Sequence, residues 1–446
     1  MSKIYSKKFW IIFWLISILF LVSFYLTLEF RKNGLTGISE KMPISQELKT
    51  VFALADHVFL ADGTEKNFLI LFQNNMEIRP GGGYIGSFGI LKIKDGKYSN
   101  LQIHDAGIFD ERIPDVVEAP RPIQEKLNVA IWKLRDSNFS PDFKVNAIQA
   151  EKFYKLGKGE EELDGIIGIT TDVLTSFLEI TGPVSIEGYP GTYGDENAFM
   201  QLEYQVEKGF DEQGIPRRER KSGIMNKLGR EVLSKTLALG KVDQLRLAKV
   251  VLKDLKKKDI QFYFKDEDLQ KAIDLVGWNG EVDTDWNKDF LMLVDANLGA
   301  WKSDYFMKRL VEYTVDLSQE IPQANLKVTY KHAATAKDWL TKNYLTYFQV
   351  FTVEESWLDK TENFINPIFK KDLGKKSFGA YVDVVIGKEK VVKLSYTLPQ
   401  ELANDYILKI QKQIGVNDVP YKVKVIQRDG SEKNYEFILN SDIILN

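Results

Sequence analysis

The sequence of 446 residues predicts an α/β protein in three successive parts: an N-terminal transmembrane helix, an α/β domain with a central sheet flanked by helices, and an all-β antiparallel sandwich domain. Three observations support this fold class. An uncharged stretch of about 20 apolar residues lies near the N-terminus. Apolar runs then alternate with helical patterns. The last third of the chain contains short period-two segments that are separated by turn residues.

Composition narrows the possible chemistry. Hydrophobic residues make up 44% of the chain, so it can bury sizeable cores and is not disordered. The net charge of -3 comes from 60 basic and 63 acidic residues mixed along the chain, a balance that argues against a nucleic-acid partner. Because the chain has no cysteine and its three histidines are scattered, thiol catalysis, disulfides and the usual zinc sites are excluded.

Residues 9–28 (FWIIFWLISILFLVSFYLTL) carry no charge and predict a transmembrane anchor. A cleaved signal peptide is the alternative, but the stretch is too long for one and no small-residue cleavage site follows it. Lys3, Lys7 and Lys8 favour a cytoplasmic N-terminus. We therefore expect a single-pass protein of the cell membrane, in which residues 1–32 form the cytoplasmic tail and anchor and the bulk of the chain is extracytoplasmic.

Residues 33–66 read as a stalk and a short helix, and the α/β domain is predicted over residues 67–285. Its glycines in residues 81–86 (GGGYIG) match the G-x-G-x-x-G letters of a dinucleotide-binding loop. That loop requires a helix directly after the glycines. Here the following residues instead alternate on both sides of Asp95-Gly96, which is the pattern of a β-hairpin. We therefore expect no nucleotide cofactor.

Later segments complete the predicted architecture. DGIIGITTDVLTSFLEITGPVSI reads as a strand, a helix stopped by Gly182, and a second strand, which is a crossover unit of an α/β sheet. Helical patterns follow over residues 196–208, 216–239, 242–257 and 266–276. The antiparallel sandwich domain is predicted over residues 286–446.

Arg79 and the glycines after it are the first candidate site. The amides of Gly82 and Gly83 can point at one anion, and the neighbouring guanidinium can bind a phosphate through two hydrogen bonds. The alternative is that these glycines only form a turn that requires positive φ.

Two loops and a helix provide the other candidates. In the loop of residues 104–112, Asp105 and Asp110 can hold a divalent ion and Arg112 a phosphate, or the loop is simply solvated. Arg135 lies in LRDSNFSPDF, a loop whose other polar residues can equally be helix caps.

The helix predicted from residue 216 begins with PRRERK. Arg217 and Arg220 are three residues apart on it, so both can reach one anionic ligand. The alternative is an ordinary solvated helix face.

Five segments together resemble a family of bacterial membrane proteins known as domain of unknown function 4012. They are LILFQNNMEIRPGGGYIGSFGIL, LRDSNFSPDF, DGIIGITTDVLTSFLEITGPV, NLGAWKSDYF and KQIGVNDVPYKV. That family is in turn similar to the LytR-CpsA-Psr enzymes, which transfer glycopolymers from a polyprenyl-pyrophosphate carrier onto the cell wall. The resemblance implies a LytR-CpsA-Psr-like α/β domain, in which Arg79, Arg217 and Arg220 bind the phosphate.

The resemblance departs from the enzymes at the metal. They hold Mg²⁺ through an aspartate in an Arg-Ser-Asp-Thr segment, whereas here no carboxylate lies between Glu77 and Asp95. Asp105 or Asp110 would have to replace it, either as metal ligand or as the base that accepts a proton from the acceptor hydroxyl.

The sequence thus leads to two expectations. The first is a membrane-anchored envelope protein that binds a polyprenyl-linked phosphate or pyrophosphate and, in an enzymatic form with Mg²⁺, transfers a glycopolymer to the cell wall. Its partners would be the lipid bilayer and the polyprenyl-linked glycan or cell-wall polymer. The alternative is a non-catalytic envelope scaffold or binding protein that uses its sandwich domain.

Overall fold

The computed structural model describes residues 34–37, 39, 42–59, 63–209 and 217–446. The anchor predicted over residues 9–28 lies outside these residues. Within the described ranges, no helix combines the length and the apolar character needed to cross a membrane. These residues form a mixed α/β structure with several sheets.

Seven strands belong to the N-terminal part of the described chain: β1 (Glu65–Asn74), β2 (Tyr84–Lys94), β3 (Lys97–Asp105), β4 (Gly165–Thr170), β5 (Val184–Ser185), β6 (Thr192–Tyr193) and β7 (Ile260–Phe264). Five of them form a central sheet, here called sheet A, in the order β3-β2-β1-β4-β7. Only β1 and β4 pair in parallel in this sheet. β5 and β6 form a separate small ribbon.

The N-terminal part also contains helices, most of which pack against sheet A. They are α1 (Gln46–Phe59), α2 (Ala106–Asp110), α3 (Arg121–Leu127), α4 (Phe143–Leu156), α5 (Thr171–Thr181), α6 (Ala198–Tyr204), α7 (Arg217–Leu237), α8 (Lys241–Lys256) and α9 (Glu267–Leu275). One turn of π-helix, Gln205–Gly209, extends α6. The four helical patterns predicted in residues 196–276 are confirmed by α6 to α9.

Local sequence signals explain the strands and helix that matter most for the site. Asp95 and Gly96 have φ of 50° and 69°, which is the left-handed geometry of a tight hairpin turn between β2 and β3. The glycines before β2 therefore lead into a strand, as predicted, and not into a helix. β4 passes directly into α5, and Gly182 with φ of 74° ends that helix.

The C-terminal part contains twelve strands: β8 (Asp289–Asn297), β9 (Met307–Asp316), β10 (Gln323–His332), β11 (Tyr344–Thr352), β12 (Trp357–Glu362), β13 (Ile368–Asp372), β14 (Lys375–Val384), β15 (Glu389–Thr397), β16 (Leu408–Gln411), β17 (Val419–Ile426), β18 (Glu432–Leu439) and β19 (Ile443–Leu445). They form sheet B, in the order β12-β15-β10-β9-β17-β18, and sheet C, in the order β13-β14-β11-β8-β16-β19. Side chains from both sheets share one core, which includes Tyr313, Leu326, Phe348 and Phe378.

The prediction of a wholly antiparallel sandwich was wrong at two strand pairs. β16 runs parallel to β8, and β17 runs parallel to β9. The physical reason is the short segment between β16 and β17, which carries the chain from sheet C to sheet B. Each of the two strands therefore pairs with a strand, β8 or β9, that comes much earlier in the sequence.

That same segment, residues 411–417, docks the sandwich onto the N-terminal part. Gln413 Nε2 donates hydrogen bonds to the carbonyl oxygens of Arg79 at 3.2 Å and of Asp295 at 2.8 Å. Lys412 Nζ donates to the carbonyl oxygen of Lys257 at 2.7 Å. Residues 411–417, called the docking segment below, thus hold the loop after β1 against the sandwich.

Candidate functional site

A cavity of about 660 Å³ lies between sheet A and helices α5, α6 and α7. Its floor consists of apolar side chains from strands β1, β3 and β4, and its roof of apolar side chains from the three helices. Representative members of this wall are Phe72, Ile103, Ile169, Phe177, Leu202 and Leu228.

The sequence of α7 explains why this helix contributes apolar side chains to the roof of the cavity. Met225, Leu228, Val232 and Leu233 recur at helical spacing and line the cavity. Gly229 lies on the same face, where an added Cβ would be 3.2 Å from Ile103 Cδ1, so the glycine allows the helix to approach β3 closely. The helix that the sequence singled out for its arginines therefore also forms an apolar wall.

Charged and polar side chains gather at one end of the cavity. Asn74, Asp105 and Thr170 lie at the carboxyl ends of β1, β3 and β4, which is where open α/β sheets commonly place their ligands. Glu203 of α6 and Lys302, from the loop after β8, complete this polar end.

Lys302 links the sandwich to the roof of the cavity. Its Nζ lies 3.3 Å from Glu203 Oε2 and 3.3 Å from Glu207 Oε1. Asn74 Nδ2 donates to the other oxygen of Glu203 at 2.9 Å. Burial by itself lowers the pKa of Lys302, but the neighbouring carboxylates, Glu203 foremost, outweigh it and raise that pKa above its ordinary value.

The surroundings of Arg79 correct the prediction that it binds phosphate. The residue is only 1% exposed and is not part of the cavity wall. Its Nε lies 2.9 Å from Asp136 Oδ1, its Nη2 lies 3.1 Å from Glu77 Oε1, and its Nη1 donates to the carbonyl oxygen of Asn297 at 2.8 Å. All three guanidinium nitrogens are therefore engaged inside the protein.

Gly82 and Gly83 are explained by close packing, which corrects the prediction of an anion nest and favours the alternative of a turn. Gly82 has φ of 129° and donates its amide to the carbonyl oxygen of Arg79 at 3.1 Å. A Cβ on Gly82 would be 2.3 Å from Gln73 Oε1, and one on Gly83 would be 2.4 Å from the carbonyl of Asn74.

Asp105 and Asp110 lie in different surroundings. Asp105 lines the cavity and accepts a hydrogen bond from the amide of Ile108 as the N-cap of α2. Asp110 is buried away from the cavity wall, where Leu134 N donates to its Oδ1 at 2.9 Å and Arg135 Nε lies 2.8 Å from its Oδ2. Burial raises the pKa of Asp110 to about 6, against the lowering effect of Arg135.

The residues present do not fit the expected Mg²⁺ site. Because Asp110 already faces Arg135 and only Asp105 lines the cavity, the two carboxylates do not converge on one position. In the part of the chain that the structure describes, no three acidic or histidine side chains are arranged to hold a metal ion. This arrangement argues against Asp105 and Asp110 as joint ligands of one metal ion, whereas a role of Asp105 alone as metal ligand or base stays a prediction.

Of the other arginines predicted to bind phosphate, the structure describes the side chains of Arg112 and Arg135. Arg112 Nη2 donates to the carbonyl oxygen of Lys158 at 2.7 Å, and Arg135 pairs with Asp110, so neither belongs to the cavity wall. α7, Arg217–Leu237, matches the helix predicted over residues 216–239. The side chains of residues 217–222 lie outside the described part of the structure, and the phosphate-binding roles of Arg217 and Arg220 stay predictions.

Solved structures of low similarity provide a first comparison. The protein gbs0355 from Streptococcus agalactiae is 14% identical, with 49% of this chain and 74% of that chain covered at a TM-score of 0.29. A protein from Listeria innocua is 12% identical, with 49% and 81% covered at a TM-score of 0.27. An M1 zinc metallopeptidase from Deinococcus radiodurans is 10% identical, with 30% and 38% covered at 0.18. These scores carry no argument about fold or function.

Sequence comparisons are more specific. No curated protein matches this chain. Residues 63–206, which include β1 to β6, α5, α6 and much of the cavity wall, match a family described as protein of unknown function (DUF4012). The match confirms the resemblance for the first three of the five sequence segments, whereas NLGAWKSDYF and KQIGVNDVPYKV lie outside it.

Proposed function

We propose that this protein binds the apolar chain of a lipid in the cavity between sheet A and helices α5 to α7. The observation that carries the proposal is the cavity itself, of about 660 Å³, with apolar side chains along its length and charged groups at one end. Ligand sites commonly have volumes of about 300–1,000 Å³ and are mostly apolar with a few placed polar groups.

The size of the cavity argues against incomplete packing as its explanation. Protein cores are packed as densely as organic crystals and rarely keep voids larger than a water molecule. Apolar voids also do not hold water well, because water there lacks hydrogen-bond partners, but they bind apolar molecules. A flexible hydrocarbon chain therefore matches the apolar wall better than a compact polar ligand does.

The sequence resemblance suggests which lipid to consider first. Polyprenyl-linked phosphates and pyrophosphates are the carriers used by the LytR-CpsA-Psr enzymes, and residues 9–28 would hold the cavity near the membrane that contains such carriers. We include this lipid class and this extracytoplasmic, membrane-anchored location in the proposal.

Glycopolymer transfer is not included in the proposal. Transfer would need an anion site and a metal or base beside it. Arg79 and Asp110 are already engaged in ion pairs inside the protein, as described above. The arginines at the start of α7 have side chains that lie outside the described residues. The binding function thus has support in the geometry that the enzymatic function lacks.

A wall-filling variant tests the proposal. Full-length protein in lipid nanodiscs would be titrated with tritiated geranylgeraniol, a diterpenoid chain, and saturable binding measured for the parent, for Val232→Trp and for Val242→Trp. Val232 lies in the roof, whereas Val242 is 68% exposed on α8 and serves as the matched control. We expect Val232→Trp to weaken binding at least tenfold and Val242→Trp to leave it unchanged.

Overpacking can also destabilise a protein, typically by about 1–3 kcal/mol, so urea denaturation must show that Val232→Trp is still folded. If that variant is unfolded, Leu174→Trp on α5 fills the same cavity from another helix. Absence of saturable binding in the parent, or parental affinity in a folded wall-filling variant, would refute the proposal.

A further inference from the structure

The helical hairpin formed by α7 and α8 exposes a cluster of large apolar side chains where the two helices meet. Leu237, Val242 and Leu245 are close in sequence and are 67%, 68% and 68% exposed. Val242 and Leu245 are three residues apart on α8 and therefore share a face of that helix. Single exposed apolar residues are ordinary, whereas a cluster of them marks a contact with a membrane or another protein. Residues 235–249 are called the hairpin tip below.

The hairpin tip is basic, although the chain as a whole is nearly neutral. It contains four basic residues against one acidic residue, Asp243, whereas all 446 residues together carry a net charge of -3. The basic residues are Lys235, Lys241, Arg246 and Lys249. Long basic side chains can lie along an apolar surface while their charged ends reach anionic lipid head groups. A second copy of the tip is a poorer partner, because it would bring the same positive charge.

The contacts of α7 place the tip at the edge of sheet A that is opposite the polar end of the cavity. Asn226, in the first half of α7, exchanges hydrogen bonds with the backbone of Ile103 near the end of β3. Farther along α7, Lys235 Nζ donates to the carbonyl oxygen of Pro183 at 2.6 Å, just beyond the end of α5. Since α5 starts at the carboxyl end of β4 and runs back along the sheet, the tip lies at the edge where β1 and β4 begin.

The chain that follows the predicted anchor reaches the protein at this same edge. Leu35 N donates to Asp56 Oδ1 at 2.9 Å, and Thr36 Oγ1 donates to Asp56 Oδ2 at 2.7 Å. These contacts hold the segment at the end of α1. Lys66 of β1 donates to the carbonyl oxygen of His57, which places that end of α1 beside the start of β1.

The tether between the anchor and this edge is short. Residues 29–33 alone separate Gly34 from the span predicted over residues 9–28. A linker of this length extends at most about 20 Å. In a membrane-anchored protein, the edge of sheet A that carries the hairpin tip therefore faces the bilayer.

The tip also borders the apolar end of the cavity. Leu233 and Thr236, in the last turns of α7, belong to the cavity wall, and the next residue, Leu237, is already two-thirds exposed. The cavity thus extends from its polar end to the beginning of the hairpin tip.

We propose that the hairpin tip is a second contact with the membrane, beside the anchor. Leu237, Val242 and Leu245 enter the head-group region of the bilayer, and the basic side chains around them bind anionic head groups. The apolar end of the cavity at Thr236 then faces the bilayer. This inference goes beyond lipid binding in the cavity and rests only on the membrane-anchored location that the proposed function includes.

Single cysteine labels test the inference, because the chain has no cysteine of its own. Full-length Leu245→Cys, labelled with the fluorophore NBD, would be reconstituted into nanodiscs made of equal parts of phosphatidylcholine and phosphatidylglycerol. Its fluorescence would be compared with and without a phosphatidylcholine that carries a nitroxide near the glycerol. Interfacial helices bury their apolar face about 5–10 Å deep, so we expect the nitroxide to quench the label at least about twofold.

Leu275→Cys, labelled in the same way, is the matched control. Leu275 is 72% exposed and ends α9. α9 begins near the anchor, where Asp266 Oδ2 lies 4.0 Å from His57 Nδ1, and runs away from that edge. We expect no quenching of this label. A cysteine at either exposed position should leave stability nearly unchanged.

The role of the basic side chains is tested separately. Lys241→Glu combined with Lys249→Glu, in the labelled Leu245→Cys protein, should reduce the quenching by at least about half, because the tip loses its attraction to phosphatidylglycerol. Quenching that is unchanged in this variant would overturn the assigned binding of anionic head groups.

The outcomes separate this inference from the proposed function. Equal quenching at residues 245 and 275, or quenching at neither in nanodiscs that hold the protein, would overturn the inference and leave lipid binding in the cavity intact. A blue-shifted label at residue 245 that the nitroxide does not quench would indicate a protein contact and would also overturn it. Protein that does not co-elute with the nanodiscs would refute the membrane-anchored location, and the inference with it.

Discussion

Arg79 Nε lies 2.9 Å from Asp136 Oδ1, in an ion pair whose side chains are 1% and 8% exposed. Arg79 belongs to RPGGG and Asp136 to LRDSNFSPDF, so the two most conspicuous polar loops of the sequence meet each other. Gln413 of the docking segment then donates to the carbonyl oxygen of Arg79. The arginine that looked like a ligand-binding residue therefore joins two loops and the sandwich.

The first prediction concerns the stability contributed by this ion pair. Arg79→Met should lower the free energy of unfolding by about 3–5 kcal/mol, because it leaves Asp136 and Glu77 buried without their cation. Urea denaturation followed by circular dichroism would measure the change. Arg121→Met is the matched control, because Arg121 pairs with Glu125 at the surface and should change nothing measurable.

A different result would restore the original interpretation of Arg79. If Arg79→Met were as stable as the parent but lost binding of geranylgeranyl phosphate, the arginine would be a ligand-binding residue after all.

Local signals made much of the fold predictable. The turn at Asp95-Gly96 and the stop at Gly182 depend on backbone geometry that few residues tolerate, so short motifs were sufficient to place β2, β3 and α5. Helical spacing of apolar residues likewise predicted α7. These features depend on residues that are near each other in sequence.

The site depended on contacts that a single sequence does not reveal. Lys302 reaches Glu203 across about a hundred residues of chain, and nothing near NLGAWKSDYF indicates that its lysine lies at a cavity. Ser87 reads as one polar residue within a strand, and its missing hydrogen-bond partner is visible only in three dimensions. The burial of Arg79 was hidden for the same reason, because both of its carboxylate partners look like loop residues.

The second prediction concerns the contact between Gly415 and Gly82. A Cβ on Gly415 would lie 2.1 Å from the carbonyl oxygen of Gly82, and φ at Gly415 is 76°. Gly430 has nearly the same φ, 79°, with nothing within 4 Å of an added Cβ. Both alanine variants carry the left-handed backbone cost of roughly 1–2 kcal/mol, but only Gly415→Ala also disrupts a packed contact.

We therefore expect Gly415→Ala to destabilise the protein by at least about 1 kcal/mol more than Gly430→Ala does. Thermal and urea unfolding of the two variants would measure the difference. Equal losses of stability would mean that the docking segment can shift away from the loop after β1 at no cost. The close approach of Gly415 and Gly82 would then not stabilise the contact between the docking segment and that loop.

The third prediction is a pH dependence that originates at Asp289, in the core of the sandwich. Its side chain is buried, and burial raises the pKa of its carboxyl from 3.8 to about 6, although hydrogen bonds from Tyr406, Phe290 N and Tyr313 act in the opposite direction. As pH rises from about 4 to 6, the unfolded chain loses this proton before the folded protein does. The contribution of Asp289 to stability is therefore most favourable below pH 3.8, falls through this window and stays low above it.

Asp289→Asn removes this titration while it keeps the size of the side chain. Relative to the parent, the variant should gain up to about 3 kcal/mol of unfolding free energy between pH 4 and pH 7, because two pKa units correspond to roughly that amount. Denaturation midpoints across this range would show the gain, and Asp268→Asn, at a side chain that is 97% exposed, is the control. Other buried carboxyls, such as Asp110, contribute equally to the parent and to the variant, so the difference between the two curves isolates Asp289. Parallel curves for Asp289→Asn and the parent would show that this carboxyl titrates alike in the folded and unfolded chains, and that burial does not hold its proton.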